Sequence, residues 1–329
     1  MPRRQTRRLD EDDVRVRPPR GTRPRSKERP RHENAEPGRV VTVDRGRYGC
    51  LVDDREVVAV KARELGRKAV VVGDRVALVG DVSGDPDTLA RVVRVEPRTS
   101  VLRRSADDTD PVERVIVANA DQLVVVTALA RPEPRPRLVD RCLVAAYDAG
   151  LDPLLVLTKA DLADPEPLLE AYAPLDVPAV VTRKDGSLDP LRARLRDRVS
   201  VLVGHSGVGK STLVNALVPE SHRATGAVNI VTGRGRHTTS SAVALALSGG
   251  GWVIDTPGVR SFGLAHLDSD RVVRAFPDLA EGAEACPPRC SHQGAECALD
   301  AWVAAGHADP RRLDSLRRLL AARDRRAGD

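Results

Sequence analysis

Long apolar segments are missing from this 329-residue sequence. Nowhere do about 18 uncharged apolar residues follow one another, which is the length that a membrane-spanning helix needs. The amino terminus is rich in arginine and lacks the apolar stretch of a signal peptide. These absences argue against a membrane protein and a secreted protein, and they predict a soluble, cytoplasmic chain with no membrane partner.

Aromatic side chains are scarce, at 2% of the residues, and cysteines number five. Three of the cysteines crowd between Cys286 and Cys297, which argues against a disulfide framework and favours metal ligation in a reducing compartment. Cys50 and Cys142 stand alone in apolar segments and are expected to be buried small side chains. With 41% hydrophobic residues the chain can bury more than one core, so two or three domains are expected.

Residues 1–36 carry most of the excess positive charge. They hold 12 Arg and Lys against 7 Asp and Glu, a surplus of five in a chain whose net charge is +6. With five prolines, no aromatic residue and no apolar period, this segment is predicted to be a disordered basic tail. Such a tail suits a polyanion such as RNA, or it serves only to keep the protein soluble.

Residues 37–97 show the pattern of a small β-barrel. Five β-branched runs are separated by Gly and Asp: Val40–Val43, Tyr48–Val52, Val57–Val60, Val76–Val79 and Leu89–Val95. Five short strands favour an oligonucleotide-binding (OB) barrel, with Arg45, Arg47, Lys61 and Lys68 in or near its loops. Because Tyr48 is the only aromatic residue here, charge contacts to a nucleic-acid backbone are expected rather than base stacking.

Residues 98–264 change to apolar strands alternating with helical segments, which predicts an α/β domain with a parallel sheet. Strands are predicted at Val115–Val117, Leu123–Val126, Leu154–Leu157 and Val199–Val203, with a hairpin of Ala242–Leu247 and Trp252–Ile254. Helices are predicted at Leu138–Ala149, closed by Gly150, and at Ser211–Val218, ended by Pro219. Glu96–Arg114 is interpreted as a connector.

A glycine-rich loop follows the strand Val199–Val203. Its residues are Gly204, His205, Ser206, Gly207, Val208, Gly209, Lys210 and Ser211. They fit the phosphate-loop (P-loop) pattern, in which backbone N–H groups converge on phosphate oxygens at a helix N-terminus. Lys210 would neutralise the β- and γ-phosphates, Ser211 would offer its hydroxyl to Mg²⁺, and Thr212 begins the helix behind them.

A second nucleotide motif follows the strand Leu154–Leu157 and consists of Thr158, Lys159, Ala160 and Asp161. The Asp161 carboxylate can accept hydrogen bonds from the ring N–H and the exocyclic amine of guanine, whereas adenine presents an acceptor there. GTP is therefore predicted to bind in preference to ATP, with the stem of Lys159 on the base. Thr158 stands where GTPases generally carry Asn, so some of the hydrogen bonding to the P-loop is not expected.

Two segments would supply the remaining ligands of Mg²⁺ and the γ-phosphate. Asp255 ends the Trp252 strand and offers a carboxylate to the metal, and Gly258 offers its amide to the γ-phosphate. Between the P-loop helix and the hairpin, either Thr238 or Thr239 would place a hydroxyl on the metal.

The residue that positions the attacking water is not the usual one. Val259 stands where many GTPases place a glutamine that orients this water, and valine cannot do so. His237 is the best local candidate. The other interpretation of His237 is a neutral structural or RNA-facing histidine.

The order of the motifs is itself informative, because the guanine motif normally follows the P-loop and here precedes it. The domain is therefore predicted to be circularly permuted, which a sheet with neighbouring termini tolerates. Asp255 and Gly258 then lead directly into residues 265–329, and nucleotide state is expected to move that segment.

Residues 265–329 are predicted to form a mainly helical zinc-binding domain. Cys286, Cys290, His292 and Cys297 give three thiolates and one imidazole within twelve residues, which matches a closed tetrahedral Zn²⁺ site. One structural zinc is expected, since no ligand position is left open for water.

A helix is predicted to begin at Asp309 and Pro310. It bears the arginines Arg311, Arg312, Arg317, Arg318 and Arg323. These side chains either contact RNA or form the solvated face of a helix that packs through Leu313, Leu316 and Leu320.

Residues 38 to about 325 resemble the RsgA (YjeQ/YloQ) family of circularly permuted GTPases involved in small ribosomal subunit biogenesis. The resemblance rests on the barrel-like start, the two nucleotide motifs, Arg236 to Thr239, Asp255 to Val259 and the Cys/His cluster. It implies GTP hydrolysis stimulated by the small subunit, late maturation of that subunit around its decoding region, rRNA binding, one zinc, and a catalytic histidine at His237. The departures are Thr158 and a cysteine spacing slightly tighter than the family pattern.

The alternative is a protein that is not primarily an enzyme. It would be an RNA-binding assembly factor controlled by GTP occupancy, with negligible hydrolysis, and Val259 is the feature that favours it. A GTP-regulated factor with another RNA or protein partner is a weaker option. A monomer is expected, since no heptads or large apolar stripe stand out.

Overall fold

The computed structural model describes residues 32–66, 69–85, 88–105, 113–218, 242–256, 269–294 and 296–324. Residues Asn34–Asp329 belong to one unit. The tail predicted over residues 1–36 lies outside the described residues up to residue 31, and so do Lys68 and Pro219. No described helix combines the length and the apolar character that crossing a bilayer requires.

Five short strands close into a barrel at the start of the described chain. They are β1 Glu36–Asp44, β2 Arg47–Val52, β3 Arg55–Lys61, β4 Arg75–Gly80 and β5 Ala90–Val95. Their order is β1-β2-β3-β5-β4, hydrogen bonds between β1 and β4 close the ring, and a 3-10 turn at Arg63–Leu65 follows β3. Val40, Cys50 and Leu78 point into the barrel and are fully buried. The predicted OB-type barrel is confirmed.

A two-stranded hairpin lies between the barrel and the α/β domain. Strand β6 Val101–Ser105 pairs antiparallel with β7 Glu113–Ala118. The interpretation of Glu96–Arg114 as a connector was therefore wrong, because it contains β6. The strand predicted at Val115–Val117 exists, but it belongs to this hairpin and not to the parallel sheet. Two arginines follow Val101 and Leu102, so β6 carries no apolar period of its own and its pairing with β7 defines it.

In its described residues the α/β domain has six strands, in the order β10-β9-β8-β11-β13-β12. They are β8 Gln122–Ala128, β9 Asp152–Thr158, β10 Ala179–Val181, β11 Val199–Val203, β12 Val243–Ala246 and β13 Trp252–Asp255. The helices are α1 Pro136–Ala149, α2 Glu166–Tyr172, α3 Asp189–Leu195 and α4 Lys210–Leu217, with a 3-10 turn at Ala173–Leu175. Five of these strands are parallel and β12 is antiparallel. The predicted parallel α/β domain is thereby confirmed.

The barrel and the α/β domain share a sheet. Thr42 of β1 lies opposite Val243 of β12, so the strands of both form one continuous eleven-stranded sheet. Arg98, which follows the barrel, binds both carboxylate oxygens of the fully buried Asp74 at 2.7 and 2.9 Å. A buried, doubly bonded carboxylate fixes the chain where it leaves the barrel.

Four helices end the described chain: α5 Ser269–Arg274, α6 Pro277–Ala283, α7 Ala298–Ala304 and α8 Pro310–Asp324. The Asp309 carboxylate accepts a hydrogen bond from the Arg311 amide at 2.8 Å and caps α8 where the sequence predicted its start. Helix α8 packs against α1, α5 and α7, and four of its leucines are buried in the core: Leu313, Leu316, Leu319 and Leu320. The predicted helical C-terminal region is confirmed.

Candidate nucleotide site and metal centre

Three motif-bearing segments meet at one edge of the sheet. Strand β9 ends at Thr158, β11 ends at Val203 and β13 ends at Asp255. These strands are parallel and lie close together in the order β9-β8-β11-β13, so their carboxyl ends share one edge. The guanine motif therefore lies beside the P-loop although it comes earlier in the chain, as the predicted circular permutation requires.

Close backbone packing shapes the P-loop. A Cβ atom on Gly204 would lie 2.4 Å from the Val126 carbonyl oxygen, so only glycine fits there. Gly209 has a φ of 94°, in the left-handed region that favours glycine, and it turns the chain into α4. Ser211 and Thr212 are exposed in the first turn of α4, where backbone N–H groups have no partner within the helix. This is the geometry in which a helix N-terminus binds phosphate.

Two side chains of the guanine motif bind the P-loop directly. The buried Thr158 hydroxyl donates a hydrogen bond to the Val208 carbonyl at 2.6 Å. The Lys159 ammonium donates to the Gly207 carbonyl at 2.9 Å and to the Arg131 carbonyl. Although Thr158 stands where GTPases generally carry Asn, its hydroxyl does reach the loop.

Residues 182–184, which follow β10, contact the guanine motif, and the sequence did not predict this contact. The Asp161 carboxylate, which is exposed, accepts a hydrogen bond from the Lys184 amide at 3.1 Å. The Ala160 amide donates to the Thr182 carbonyl at 3.1 Å. These bonds hold Asp161 beside residues 182–184. A polar run directly after an apolar strand was the available signal.

The P-loop lysine and the carboxylate at the end of β13 form an ion pair. The Lys210 ammonium contacts Asp255 Oδ1, and their side chains are 13% and 25% exposed. The buried Thr256 hydroxyl donates to the Leu202 carbonyl at 2.8 Å and anchors the chain after β13. Four other predicted site residues, His237, Thr238, Thr239 and Gly258, lie outside the described residues.

The predicted metal ligands converge on one point. The ligand atoms of Cys286, Cys290, His292 and Cys297 all lie within 4.8 Å of one another. Cys286 Sγ lies 3.8 Å from Cys297 Sγ, and His292 Nδ1 lies 3.7 and 3.8 Å from these two sulfurs. A tetrahedral ion with metal–sulfur bonds of about 2.3 Å separates its sulfur ligands by about 3.8 Å. The four side chains therefore fit a metal ion of this size.

The surroundings of the cluster orient its ligands. His292 Nε2, the ring nitrogen that faces away from the sulfurs, lies 3.9 Å from Asp270 Oδ1. Arg317 donates to the His292 carbonyl at 3.1 Å and binds Asp300 at 2.7 and 2.8 Å. Such outer partners fix ring orientation in metal sites. Burial lowers the pKa of His292 and raises the pKa of Cys297 to about 11, so the imidazole is neutral and the thiolate needs a neighbouring cation.

Most of the α8 arginines are bound within the chain. Arg312 binds Asp278 and Asp176, Arg317 binds Asp300, and Arg318 Nε lies 3.3 Å from Asp140. Arg311 is 77% exposed beside Asp309, and the Arg323 side chain lies outside the described part. These ion pairs favour the interpretation of α8 as a packed helix with a solvated face over that of an RNA-contacting face.

The barrel places its predicted cations differently. Arg45 and Arg47 are exposed at the turn between β1 and β2, whereas Lys61 is half-buried at the end of β3. Tyr48 is 7% exposed and belongs to the barrel core. The one aromatic residue of this segment is therefore not available to stack on a base.

Comparison with known proteins gives a consistent result. The family model described as RsgA GTPase matches residues 95–265. A Pseudomonas aeruginosa protein named small ribosomal subunit biogenesis GTPase RsgA is 40% identical over 264 residues, 77% of this chain and 76% of that protein. Proteins of the same name from Chlorobaculum parvum and Streptomyces coelicolor are each 39% identical and span 84% and 86% of this chain, and 92% and 79% of their own length.

Two solved structures share the fold. YjeQ from Thermotoga maritima superposes with a TM-score of 0.60 and 25% identity, covering 87% of this chain and 97% of that one. YloQ, described as a circularly permuted GTPase, gives a TM-score of 0.63 at 24% identity over 89% of this chain and 97% of its own, which shows likeness of fold.

Proposed function

The chain belongs to the RsgA GTPase family, and from this premise we propose that it hydrolyses GTP to GDP and phosphate in late maturation of the small ribosomal subunit. We propose further that this subunit stimulates the reaction and that the protein binds its rRNA. One observation carries the proposal. The hydrogen bond from Thr158 to Val208 joins the guanine motif to the P-loop, which supports a single site for the base and the phosphates.

The residues at the sheet edge have separate roles in holding GTP. Asp161 accepts from the guanine ring N–H and amine, and the Lys159 stem covers the base. Lys210 binds the β- and γ-phosphate oxygens, which replaces its pairing with Asp255. Asp255 would then be free to hold Mg²⁺, together with Ser211 and with Thr238 or Thr239. When bound, Mg²⁺ supplies charge neutralisation at the phosphates.

The water that attacks the γ-phosphate needs a positioning group. Val259 cannot supply one, so we assign this role to His237, with the Gly258 amide donating to the γ-phosphate. Rapid hydrolysis then depends on a partner that acts at His237. A small ribosomal subunit would act in this way.

The C-terminal cluster is proposed to hold one structural Zn²⁺. Three thiolates and one imidazole at tetrahedral spacing are the ligand set of closed zinc sites. We propose that the protein is a cytoplasmic monomer that contacts rRNA through exposed barrel cations such as Arg45 and Arg47. The basic tail is a further candidate for this contact.

GTP hydrolysis by the purified protein, alone and with purified small ribosomal subunits, tests the proposal, with His237→Ala alongside. Stimulation that the variant loses would support the enzyme and the role of His237. Stimulation that survives would remove His237 from the chemistry. Tight subunit binding without stimulation would favour the alternative that Val259 suggests, an assembly factor controlled by GTP occupancy.

A further inference from the structure

A cavity opens where the barrel meets strand β13, and we call it the barrel cleft. Its volume is about 390 Å³. Its walls include Arg39, Arg75, Arg94, Leu51 and Trp252. The cleft lies at the start of β1, so it is at the other end of the barrel from the β1–β2 turn, where OB barrels usually bind nucleic acid.

Two arginines in the cleft lie directly opposite each other. Arg39 of β1 pairs in register with Arg75 of β4, an arrangement of like charges that destabilises a sheet. Arg39 Nη1 is buried and has no acceptor among the described residues. Burial and the charge of Arg75 both lower the pKa of Arg39, and Asp121 offsets this in part.

The acidic residues at the rim do not neutralise this pair. Glu96 accepts a hydrogen bond from Arg94 at 2.7 Å, and Asp53 pairs with Arg55 at the surface. No ion pair joins Arg39 or Arg75 to a carboxylate in the part of the chain that the structure describes. An anion that entered the cleft would relieve the repulsion and supply the missing acceptor.

Apolar surface lies beside these charges. The guanidinium of Arg39 stands over the Trp252 indole at 5.9 Å, and Leu51, Val76 and Ala77 line the same cleft. Phosphate oxygens suit the planar donor fork of arginine, and a sugar or base suits the apolar wall. A nucleotide unit of RNA combines both features.

We propose that the barrel cleft binds a phosphodiester group of single-stranded RNA through Arg39 and Arg75, with the attached nucleoside against Trp252. This inference rests on the proposed function for its choice of RNA as the partner. It adds a binding site away from the barrel loops and from the nucleotide site.

Anisotropy of a labelled oligouridylate of about 12 nucleotides, titrated with the full chain, tests the site. Arg75→Ala should weaken binding about tenfold, because a charged hydrogen bond to phosphate is lost. The slope of log K against log salt should fall by about one. Arg63→Ala removes another exposed arginine that lies outside the cleft, and it should change the affinity less than about twofold. Arg75→Lys keeps the charge and should bind between parent and Arg75→Ala.

Tryptophan fluorescence gives a second readout, because Trp252 and Trp302 are the two tryptophans of the chain. In a Trp302→Phe background, the RNA should shift Trp252 emission, and Arg75→Ala should abolish the shift at equal RNA concentration. The proposal would be overturned if an acidic peptide of the same length shifted the Trp252 emission and the RNA did not.

Several outcomes overturn the inference without touching the GTPase proposal. In the first, Arg75→Ala binds RNA with the affinity and the salt slope of the parent. In the second, Arg63→Ala loses as much RNA affinity as Arg75→Ala. In the third, the parent does not bind the RNA. Hydrolysis of GTP without RNA should be unchanged in Arg75→Ala. If neither the parent nor the variants hydrolyse GTP, even with small subunits, the proposed function is contradicted. A loss of RNA binding confined to Arg75→Ala would still support the barrel cleft as an RNA site.

Discussion

Replacing Arg312 by alanine should lower the free energy of unfolding by about 2 to 3 kcal/mol. This side chain joins the last helix to two other parts of the protein. Its guanidinium binds both oxygens of Asp278 at 2.6 and 2.9 Å and donates to the Pro174 carbonyl at 2.9 Å. It also pairs with Asp176 and stands 5.5 Å from the centre of the Phe276 ring.

The magnitude follows from burial. Arg312 is 15% exposed and Asp278 is 29% exposed, so the pair lies between a surface pair and a buried one. Breaking a fully buried pair costs about 3 to 5 kcal/mol, and an exposed pair contributes about 0 to 1 kcal/mol. The pairing with Asp176 adds little, because that carboxylate is 79% exposed. The hydrogen bond to Asp278 raises the pKa of Arg312, so the charge is present at any ordinary pH.

Urea unfolding followed by tryptophan fluorescence measures this effect, since Trp302 donates to the Asp278 carbonyl at 2.8 Å. Arg311→Ala is the matched control: the Arg311 side chain is 77% exposed, so its removal should leave the free energy of unfolding close to that of the parent. Arg312→Lys keeps the charge without the planar fork and should lose about half as much as alanine. Equal effects of Arg311→Ala and Arg312→Ala would show that the buried contacts of Arg312 do not stabilise the fold.

Three further predictions concern the two candidate sites. Thr158→Val should weaken GDP binding about tenfold in a fluorescent-nucleotide titration, because the Val208 carbonyl loses its donor, whereas Thr158→Ser should bind normally. Asp161→Asn should exchange the preference for GTP for one for xanthosine triphosphate, since the amide donates to the additional carbonyl of xanthine; unchanged GTP selectivity would contradict the assigned role. Cys290→Ser should lower the zinc content measured after denaturation and the temperature of unfolding, and Cys142→Ser, away from the cluster, should retain its zinc.

The strands could be predicted wherever local pattern and burial agree. Val199–Val203 was predicted with its observed bounds, because every residue of β11 is buried between two layers and the P-loop ends the strand sharply. Strand β6 could not be predicted. Of the first two residues of β6 only Leu102 is buried. The position of β6 is set by its pairing with β7, and no local pattern in the sequence reveals that pairing.

The candidate sites divide in the same way. The sequence predicts roles for Asp161 and the P-loop because guanine and phosphate recognition require fixed residue types at fixed spacing. The bond from Thr158 to Val208 joins residues 50 positions apart, and only the sheet order brings them together. The partners of Arg312 are equally distant in sequence. The sequence therefore left open whether the α8 arginines contact RNA or form a solvated face, and the ion pairs in the fold favour the second interpretation.

Strand β13 connects the barrel cleft to the nucleotide site. Trp252 begins the strand and lines the cleft, and Asp255 ends it and pairs with Lys210 of the P-loop, roughly 10 Å further along. Hydrogen bonds hold β13 to β11 on one side and to β12 on the other, and β12 continues to the barrel through β1. A ligand at Trp252 can therefore influence Asp255 along β13 itself or through the strands that pair with it. Because coupling between binding sites is reciprocal, RNA in the cleft and GTP at the P-loop should change each other's affinity by the same factor.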